Sequence, residues 1–234
     1  MKSKLQKCLL IFTLILFSIL SVQIHSGLIK SVFSDNVAEP TTVIVDAGHG
    51  GEDGGAVASD KTLEKDLNLQ IALKLEKILK LYGFRVIMTR TEDKMTCDEN
   101  LRTQREKKIS DIRNRFAIIN DNPDAIFVSI HQNKFHDESQ KGVQVFYSHR
   151  NTQSKTLADS IQSSFVNTIQ PENKRLTKKS GTNIYLLYHS QLPSVLVECG
   201  FLSNANDLNN LKKETYQTKT AILIADGIIN YYKR

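Results

Sequence analysis

The sequence is poor in cysteine and lacks internal repeats. Its 234 residues include only three cysteines, Cys8, Cys97 and Cys199, and none belongs to a C-x-x-C pair. This excludes a disulfide framework and a paired-cysteine metal site, so the fold must be stabilised by its hydrophobic core. No repeat of solenoid length and no low-complexity tract is present. With 24% charged and 40% hydrophobic residues, the chain has the composition of a globular protein.

The amino terminus has the pattern of an export signal. Lys2, Lys4 and Lys7 precede an apolar run at 8–22, as in the charged and hydrophobic regions of such signals. The run is short for a membrane-spanning helix, which needs roughly 20 residues. Residues 24–26 do not match the usual small-residue cleavage site. We therefore predict an exported protein in which residues 1–26 are a signal peptide or an uncleaved membrane anchor.

A polar linker at 27–40 is predicted to separate this segment from one domain at 41–234. In that domain, short β-branched and apolar runs alternate with segments of helical periodicity. Predicted strands cover 41–46, 84–89, 125–130, 143–147 and 193–197, and predicted helices cover 62–82, 99–120, 152–169 and 219–232. This alternation predicts a three-layer α/β domain, with a mostly parallel twisted sheet flanked by helices.

The first two predicted helices have recognisable ends and faces. Thr62 is a candidate N-cap of the first helix, and Gly83 follows its end as a candidate C′ residue. In the second helix, the many basic residues are expected to face solvent. The residues of that helix expected to face inward are Ile109, Ile112, Phe116 and Ile119.

Ligand-type side chains follow three of the predicted strands. His49 follows the first strand within a glycine-rich turn, His131 follows a middle strand, and Glu198 follows a late strand. In an open α/β sheet, ligands bind outside the carboxyl ends of the strands. Glu64, near the start of the first helix, can reach the same edge. The four side chains are therefore expected to form one site.

These four side chains suit a catalytic zinc ion. Two imidazoles and one carboxylate are typical zinc ligands, and the fourth tetrahedral position then stays open for water or substrate. A second carboxylate that does not bind the metal can act as general base toward that water. We assign Glu64 as the ligand and Glu198 as the base, although spacing alone leaves the order of the two glutamates open.

Four short motifs surround these residues. They are D-A-G-H-G-G at 46–51, L-E-K-D at 63–66, S-I-H-Q-N at 129–133 and V-E-C-G-F-L-S-N at 197–204. In this order they resemble the zinc-dependent N-acetylmuramoyl-L-alanine amidases of the amidase-3 family, over about residues 41–233. The resemblance implies that His49, Glu64 and His131 bind one zinc ion and that Glu198 is the catalytic glutamate.

The same resemblance implies a substrate and one further residue. It implies hydrolysis of the amide bond between N-acetylmuramic acid and L-alanine in peptidoglycan. Asn133 follows the family pattern, and we expect it to orient substrate or to hold the turn. The family usually has proline where Ala47 stands and a small residue where Gln132 stands. Neither departure removes a ligand.

Three further segments resemble the germination-specific amidases of spore formers. They lie at 86–90, 111–113 and 181–186. This resemblance implies action on spore cortex, where stem peptides are removed so that muramic-δ-lactam can form. The stretch at 134–141 is too short for the inhibitory helix that some division amidases of the family carry, and no wall-binding repeats are present. Targeting is therefore expected from the membrane anchor, the catalytic face or an accessory protein partner.

The basic residues outside the amino terminus form one local cluster. It consists of Lys174, Arg175, Lys178 and Lys179. Because no aromatic residues are interleaved with it and the protein is expected to be exported, nucleic acid is not an expected partner. An anionic cell-wall polymer is a better candidate, and a solvated loop is the alternative.

Several other interpretations of the motifs are weaker. A phosphate-binding loop at 48–54 would need glycine where Asp53 stands. The H-x-E pattern at 136–138 lacks the P-C-x-x-C of zinc deaminases, and Cys199 is expected to be a packed strand residue. Two alternative functions remain, namely a tethered peptidoglycan-binding protein without catalysis and a zinc peptidase that cuts within the stem peptide.

Overall fold

The computed structural model describes residues 41–233, and the signal and linker predicted at 1–40 lie outside them. Within this part of the chain, six strands form one sheet and six helices flank it. The strands are β1 (Thr42–Ala47), β2 (Arg85–Met88), β3 (Ile126–Asn133), β4 (Gln144–Tyr147), β5 (Lys178–Lys179) and β6 (Ser194–Phe201). The helices are α1 (Glu64–Leu81), α2 (Gln104–Asn120), α3 (Gln153–Thr168), α4 (Tyr185–His189), α5 (Ala205–Leu211) and α6 (Glu214–Tyr232).

The strands lie in the order β2-β1-β3-β6-β4-β5. The first four are parallel to one another, β4 is antiparallel to β6, and β5 is parallel to β4. This confirms the predicted α/β fold with a mostly parallel sheet. Because β1, β3 and β6 are adjacent and parallel, their carboxyl ends lie at one edge, where ligand sites of such sheets form.

Alternation of side chains along the strands gives the sheet two different faces. One face packs against α1, α3 and α6 and buries the larger apolar cluster, which includes Val45, Val128 and Val197. The other face packs against α2 and α4 through a smaller cluster that includes Ile44 and Phe127. The second face is therefore the less thickly covered one.

The polar residues of the candidate site lie on this second face. Asp46 follows Ile44 by two positions on β1, and Ser129 and His131 follow Phe127 by two and four positions on β3. Glu198 follows Leu196, another member of the smaller cluster, by two positions on β6. A period of two residues thus places all of these side chains on the same side of the sheet.

Helix α1 differs from the sequence prediction at its amino-terminal end. Leu63, rather than Thr62, occupies the N-cap position, and its side chain makes no capping hydrogen bond. The predicted N-cap was therefore wrong. At the other end, Gly83 has a φ of 84° just beyond the C-cap Tyr82, as predicted for a C′ glycine.

Helix α2 is shorter than predicted, and it buries a different set of residues. It begins after Thr103, whose side chain forms a capping box with Glu106, rather than at residue 99. Ile109 and Ile112 are 41% and 37% exposed, so the prediction that they face inward was wrong. The helix instead buries Ser110, Asp111 and Arg115 together with Ile119, because Arg115 is ion-paired on its inner side, as described below.

Strands β3 and β6 extend beyond the predicted strand ends. His131 and Glu198 lie inside them and are paired in register with each other, instead of following the strands. The register shifts between His131 and Asn133. Because both residues belong to strands, their side chains follow the alternation of successive residues between the two faces of the sheet.

The sequence prediction missed β5, which is the shortest strand of the described part, and α4 and α5, which are its two shortest helices. α5 begins at the N-cap Asn204, whose side chain accepts hydrogen bonds from the backbone of Asn206 and Asp207. Cys199 is 1% exposed in the apolar core, which confirms the expectation of a packed residue. Among residues 41–233, no helix combines the length and the apolar content needed to cross a bilayer.

Candidate metal centre

Three ligand-type side chains from different elements meet at the carboxyl edge of the sheet. One atom each of His49, Glu64 and His131 lies within 4.8 Å of the others. Nε2 of His49 is 3.3 Å from Oε2 of Glu64, and Nδ1 of His131 is 2.9 Å from Oε1 of the same carboxylate. His49 follows β1, Glu64 is the first residue of α1, and His131 belongs to β3. The sequence prediction that these residues lie together is confirmed.

His49 is held in an unusual backbone conformation by its partners. Its φ is 63°, in the left-handed region that residues with a side chain seldom adopt. Nδ1 of its ring lies 2.9 Å from Oδ2 of Asp53, which leaves Nε2 as the nitrogen that faces Glu64. A carboxylate on the outer nitrogen is the usual partner of a metal-binding histidine. Sequence analysis gave Asp53 no such role.

Backbone amides orient Glu64. The amide of Ala56 donates to Oε2 over 2.8 Å, and the amide of Gln132 donates to Oε1 over 3.1 Å. Burial raises the pKa of this carboxyl, but the hydrogen bonds and charges of His131 and His49 outweigh burial and hold it below its usual range. Glu64 is therefore a carboxylate in this site.

Two glycines, which have no Cβ, leave room for the side chains of the candidate metal ligands. A Cβ at Gly48 would overlap the imidazole of His131, and a Cβ at Gly55 would lie 2.6 Å from Oε2 of Glu64. Gly55 also has a φ of 68°, which favours glycine. The glycine-rich turn thus allows His131 and Glu64 to approach His49 closely.

A buried ion pair ties the turn to α2. Asp46 accepts hydrogen bonds from Arg115 (2.6 Å), Thr89 (2.7 Å) and Ser129 (2.5 Å). Arg115 also binds the side chain of Asp111, one helical turn earlier. Burial raises the pKa of Asp46, but the Arg115 guanidinium and the hydroxyl hydrogen bonds outweigh it and lower that pKa to about 2.

Arg115 and Arg90 hold the backbone that carries His49. Arg115 donates to the carbonyls of Ala47 (2.8 Å) and His49 (2.7 Å). Arg90 donates to the carbonyls of Ala47 (2.8 Å) and Gly48 (3.0 Å). Three consecutive carbonyl groups of the turn therefore accept from buried guanidinium groups. Arg115, which the sequence placed among solvent-facing basic residues, is a positioning residue.

Glu198 lies beside these three candidate metal ligands. It pairs in register with His131, and its Oε2 is buried with no hydrogen-bond partner among residues 41–233. Burial raises the pKa of this carboxyl to about 7; the charge of Glu64 adds to the effect, and the charges of His131 and His49 oppose it. A buried carboxylate without a partner is costly, so this group is suited to gain and lose a proton.

An open cavity of about 670 Å³ gives access to these groups. His49, His131 and Glu198 lie on its wall, as do residues of α2, β5 and α4. The residues lining it do not include Asn133, whose carbonyl accepts from the amide of Leu202. The substrate-orienting role of Asn133 stays a prediction.

The donor set fits a divalent metal ion. Two imidazoles, in the neutral form in which histidine binds metals, and one carboxylate would offset one of the two charges of such an ion and match the ligand types that zinc prefers. The glycines at 48 and 55 make the close approach of the three donors possible, and Asp53 orients one of them. The group His49, Glu64 and His131 can therefore hold a metal.

Proteins similar to this chain in sequence and fold include N-acetylmuramoyl-L-alanine amidases. The family described as N-acetylmuramoyl-L-alanine amidase matches residues 43–230. The germination-specific N-acetylmuramoyl-L-alanine amidase of Bacillus subtilis (strain 168) is 34% identical over 190 residues, which are 81% of this chain and 79% of that protein.

Solved structures show the same likeness. The CwlD amidase from Clostridioides difficile, in complex with the GerS lipoprotein, has a TM-score of 0.79 and 42% identity over 82% of this chain and 98% of that one. The catalytic domain of CwlV, an N-acetylmuramoyl-L-alanine amidase from Bacillus (Paenibacillus) polymyxa var. colistinus, has a TM-score of 0.68 and 32% identity over 82% and 98% of the two chains.

Proposed function

Because this chain belongs to the N-acetylmuramoyl-L-alanine amidase family, its reaction is hydrolysis of the amide bond between muramic acid and L-alanine, and we propose that His49, Glu64 and His131 hold one zinc ion for it. In this proposal Glu198 is the catalytic base. The observation that carries it is the unpartnered Oε2 of Glu198, beside three donors that lie within 4.8 Å of one another.

Each residue then has a defined task. The chemistry that zinc supplies when bound is polarisation of the scissile carbonyl. Glu198 takes a proton from the attacking water and passes it to the nitrogen of L-alanine as the amide bond breaks. Asp53 keeps Nε2 of His49 directed at the metal position, and Arg115 holds the His49 carbonyl. The cavity beside them admits a substrate that is attached to a glycan.

Replacing the base tests the assignment. The change Glu198→Gln should lower kcat for release of stem peptide by about 10²–10⁴-fold, because it removes general acid–base catalysis. Bound zinc, measured by atomic absorption, should stay near the wild-type content. Glu64→Gln serves as the comparison, since it should lose zinc and activity together. Wild-type turnover by the Glu198→Gln variant would show that another group is the base.

We extend the proposal to spore cortex and to an accessory protein. The support is the germination-specific relative from Bacillus subtilis and the amidase solved with a lipoprotein. Purified protein loaded with zinc should release more L-alanine amino termini from cortex than from vegetative wall, and product masses separate this cleavage from that of a stem-peptide peptidase. Equal rates on both walls would contradict the cortex role. Full activity without any other protein would show that no accessory partner is required.

We also propose that the protein is exported by residues 1–26 and acts outside the cytoplasm. Its relatives include LytH of Staphylococcus aureus, described as a probable cell wall amidase, and the peptidoglycan substrate lies beyond the cytoplasmic membrane. The segment itself lies outside the described residues. Fractionation of cells that express the full chain should place it in the membrane or the medium, whereas a cytoplasmic location would contradict the proposal.

A further inference from the structure

Lys178 and Lys179 line the same cavity as the metal centre. They form β5 at the edge of the sheet, where they pair with Phe146 and Tyr147 of β4. Both side chains are exposed, and both belong to the wall of the 670 Å³ cavity that also contains His131 and Glu198. The structure thus divides the basic cluster seen in the sequence. Lys174 and Arg175 line a different cavity, of about 550 Å³, which contains none of the metal-centre residues.

Neither lysine has an acidic partner in the described part of the chain. Within residues 41–233, the ammonium group of Lys178 lies over the ring of Phe146, 6.0 Å from the ring centroid. Four carboxylates line the cavity, and none of them lies within ion-pair distance of Lys178 or Lys179; Glu198 belongs to β6, beside His131, and the other three are engaged by cations. Asp46 and Asp111 bind Arg115, and Asp53 lies 3.0 Å from the ammonium group of Lys108. The β5 side of the cavity is therefore positively charged, without a carboxylate of the described residues within ion-pair distance of either lysine.

The wall formed by α2 and α4 has a different character. Ile112, Ile184 and Tyr185 line it, and Ile112 and Tyr185 are 37% and 39% exposed. These side chains present apolar and aromatic surface without charge, which suits uncharged ring faces. The cavity thus has a cationic wall at β5 and an apolar wall at α2 and α4.

The substrate of the proposed reaction has the complementary asymmetry. On one side of the scissile amide is a glycan whose lactyl carboxyl group is consumed in that amide, so this side is uncharged. On the other side is a stem peptide that carries free carboxylates, beginning with the α-carboxylate of D-glutamate next to L-alanine. A cation binds a carboxylate by charge and hydrogen bonding together.

We propose, on the basis of the proposed function, that Lys178 and Lys179 form a subsite for a carboxylate of the stem peptide. Binding there directs the peptide toward β5 and the glycan toward the apolar wall of α2 and α4. The substrate amide is then presented to Glu198 in one orientation. The two lysines act as specificity-determining residues and take no part in proton transfer.

Two synthetic substrates test this subsite. They are N-acetylmuramoyl tripeptides that differ only at the second residue, which is either D-glutamate with a free α-carboxylate or the corresponding carboxamide. Exposed charge pairs contribute up to about 1 kcal/mol, so wild-type kcat/KM should favour the carboxylate by about five-fold. The preference should fall as salt is added, because salt screens exposed charges.

Charge substitutions on β5 should change the preference itself. In the double variant Lys178→Gln/Lys179→Gln, the ratio of the two kcat/KM values should approach one. In Lys178→Glu/Lys179→Glu, the carboxamide should become the better substrate. Lys174→Gln is the matched control, because Lys174 belongs to the same basic cluster but lines another cavity; its ratio should equal that of wild type.

The possible outcomes distinguish a failure of the lysine subsite from a failure of the proposed reaction. If wild-type protein with zinc cleaves neither compound and also fails on intact peptidoglycan, the proposed function fails and the subsite fails with it. If the wild type cleaves both compounds at equal rates, or if the double glutamine variant keeps the full preference, the amidase stands and the lysine subsite is overturned. A ratio that changes equally in Lys174→Gln would also overturn it, since the effect would then be one of general surface charge.

Discussion

The backbone of His49 shows how much of the metal centre depends on residues that are not ligands. Its φ of 63° costs on the order of 1–3 kcal/mol for a residue with a side chain. Asp53 holds the ring and Arg115 holds the carbonyl, so the neighbouring structure compensates for the strain. An ordered His49 is one of the conditions for a preformed site, because flexible ligands would have to be ordered when the metal binds.

Replacing Arg115 should therefore weaken metal binding as well as folding. Arg115→Met leaves Asp46 buried without its cation, which should destabilise the fold by about 3–5 kcal/mol. Arg115→Lys keeps one charge but loses the fork that reaches the Ala47 and His49 carbonyls, so zinc affinity should fall about 10–100-fold, the usual cost of removing a supporting partner. Chelator competition measures the affinity, and urea unfolding measures the stability.

A neighbouring arginine provides the control for this prediction. Arg113 lies on the same helix but is exposed, so Arg113→Lys should alter neither quantity. Wild-type zinc affinity in folded Arg115→Lys would show that Arg115 serves only the stability of the fold. A loss of zinc affinity that exceeds the loss of stability supports the positioning role, since a purely structural residue would not act on the metal in the folded state.

At the scale of secondary structure, regular elements could be predicted and local partners could not. β1 is a continuous run of β-branched residues and α1 has apolar residues at helical spacing, and the alternation of strands and helices was enough to bring His49, Glu64 and His131 to one edge. The short elements β5, α4 and α5 contain too few residues to show a period. The inner face of α2 was misjudged because its burial depends on Asp46, which is 69 residues from Arg115 in sequence.

The same limit applies to single residues of the site. Asp53 follows His49 by four positions, and a carboxylate so close to a predicted metal-binding histidine is a signal that sequence reasoning could have used. The lysines of β5 gave no such signal. Only the pairing of β5 with β4, and of β4 with β6, places them beside the cavity.

At the scale of the whole described fold, one face of the sheet holds most of the apolar core and the other face holds the cavity of the candidate site. The face covered by α1, α3 and α6 holds the larger apolar cluster, and the face covered by α2 and α4 leaves room for the cavity. The candidate metal centre lies at the carboxyl edge of the sheet, where Glu64 of α1 meets His49 and His131. A bound ion would therefore link α1 to β3 and to the turn that follows β1.

Zinc should consequently stabilise the whole described fold. An ion that binds only the folded state adds about 2.7 kcal/mol at 100 times its Kd, which corresponds to a rise in Tm of roughly 5–10 °C for a chain of this size. Calorimetry of the protein with EDTA and with zinc measures the shift. Glu198→Gln should keep it, because Glu198 is assigned as base and not as ligand, whereas His131→Ala should lose it. Equal loss in both variants would place Glu198 among the ligands, and the division of roles between the two glutamates would have to be reversed.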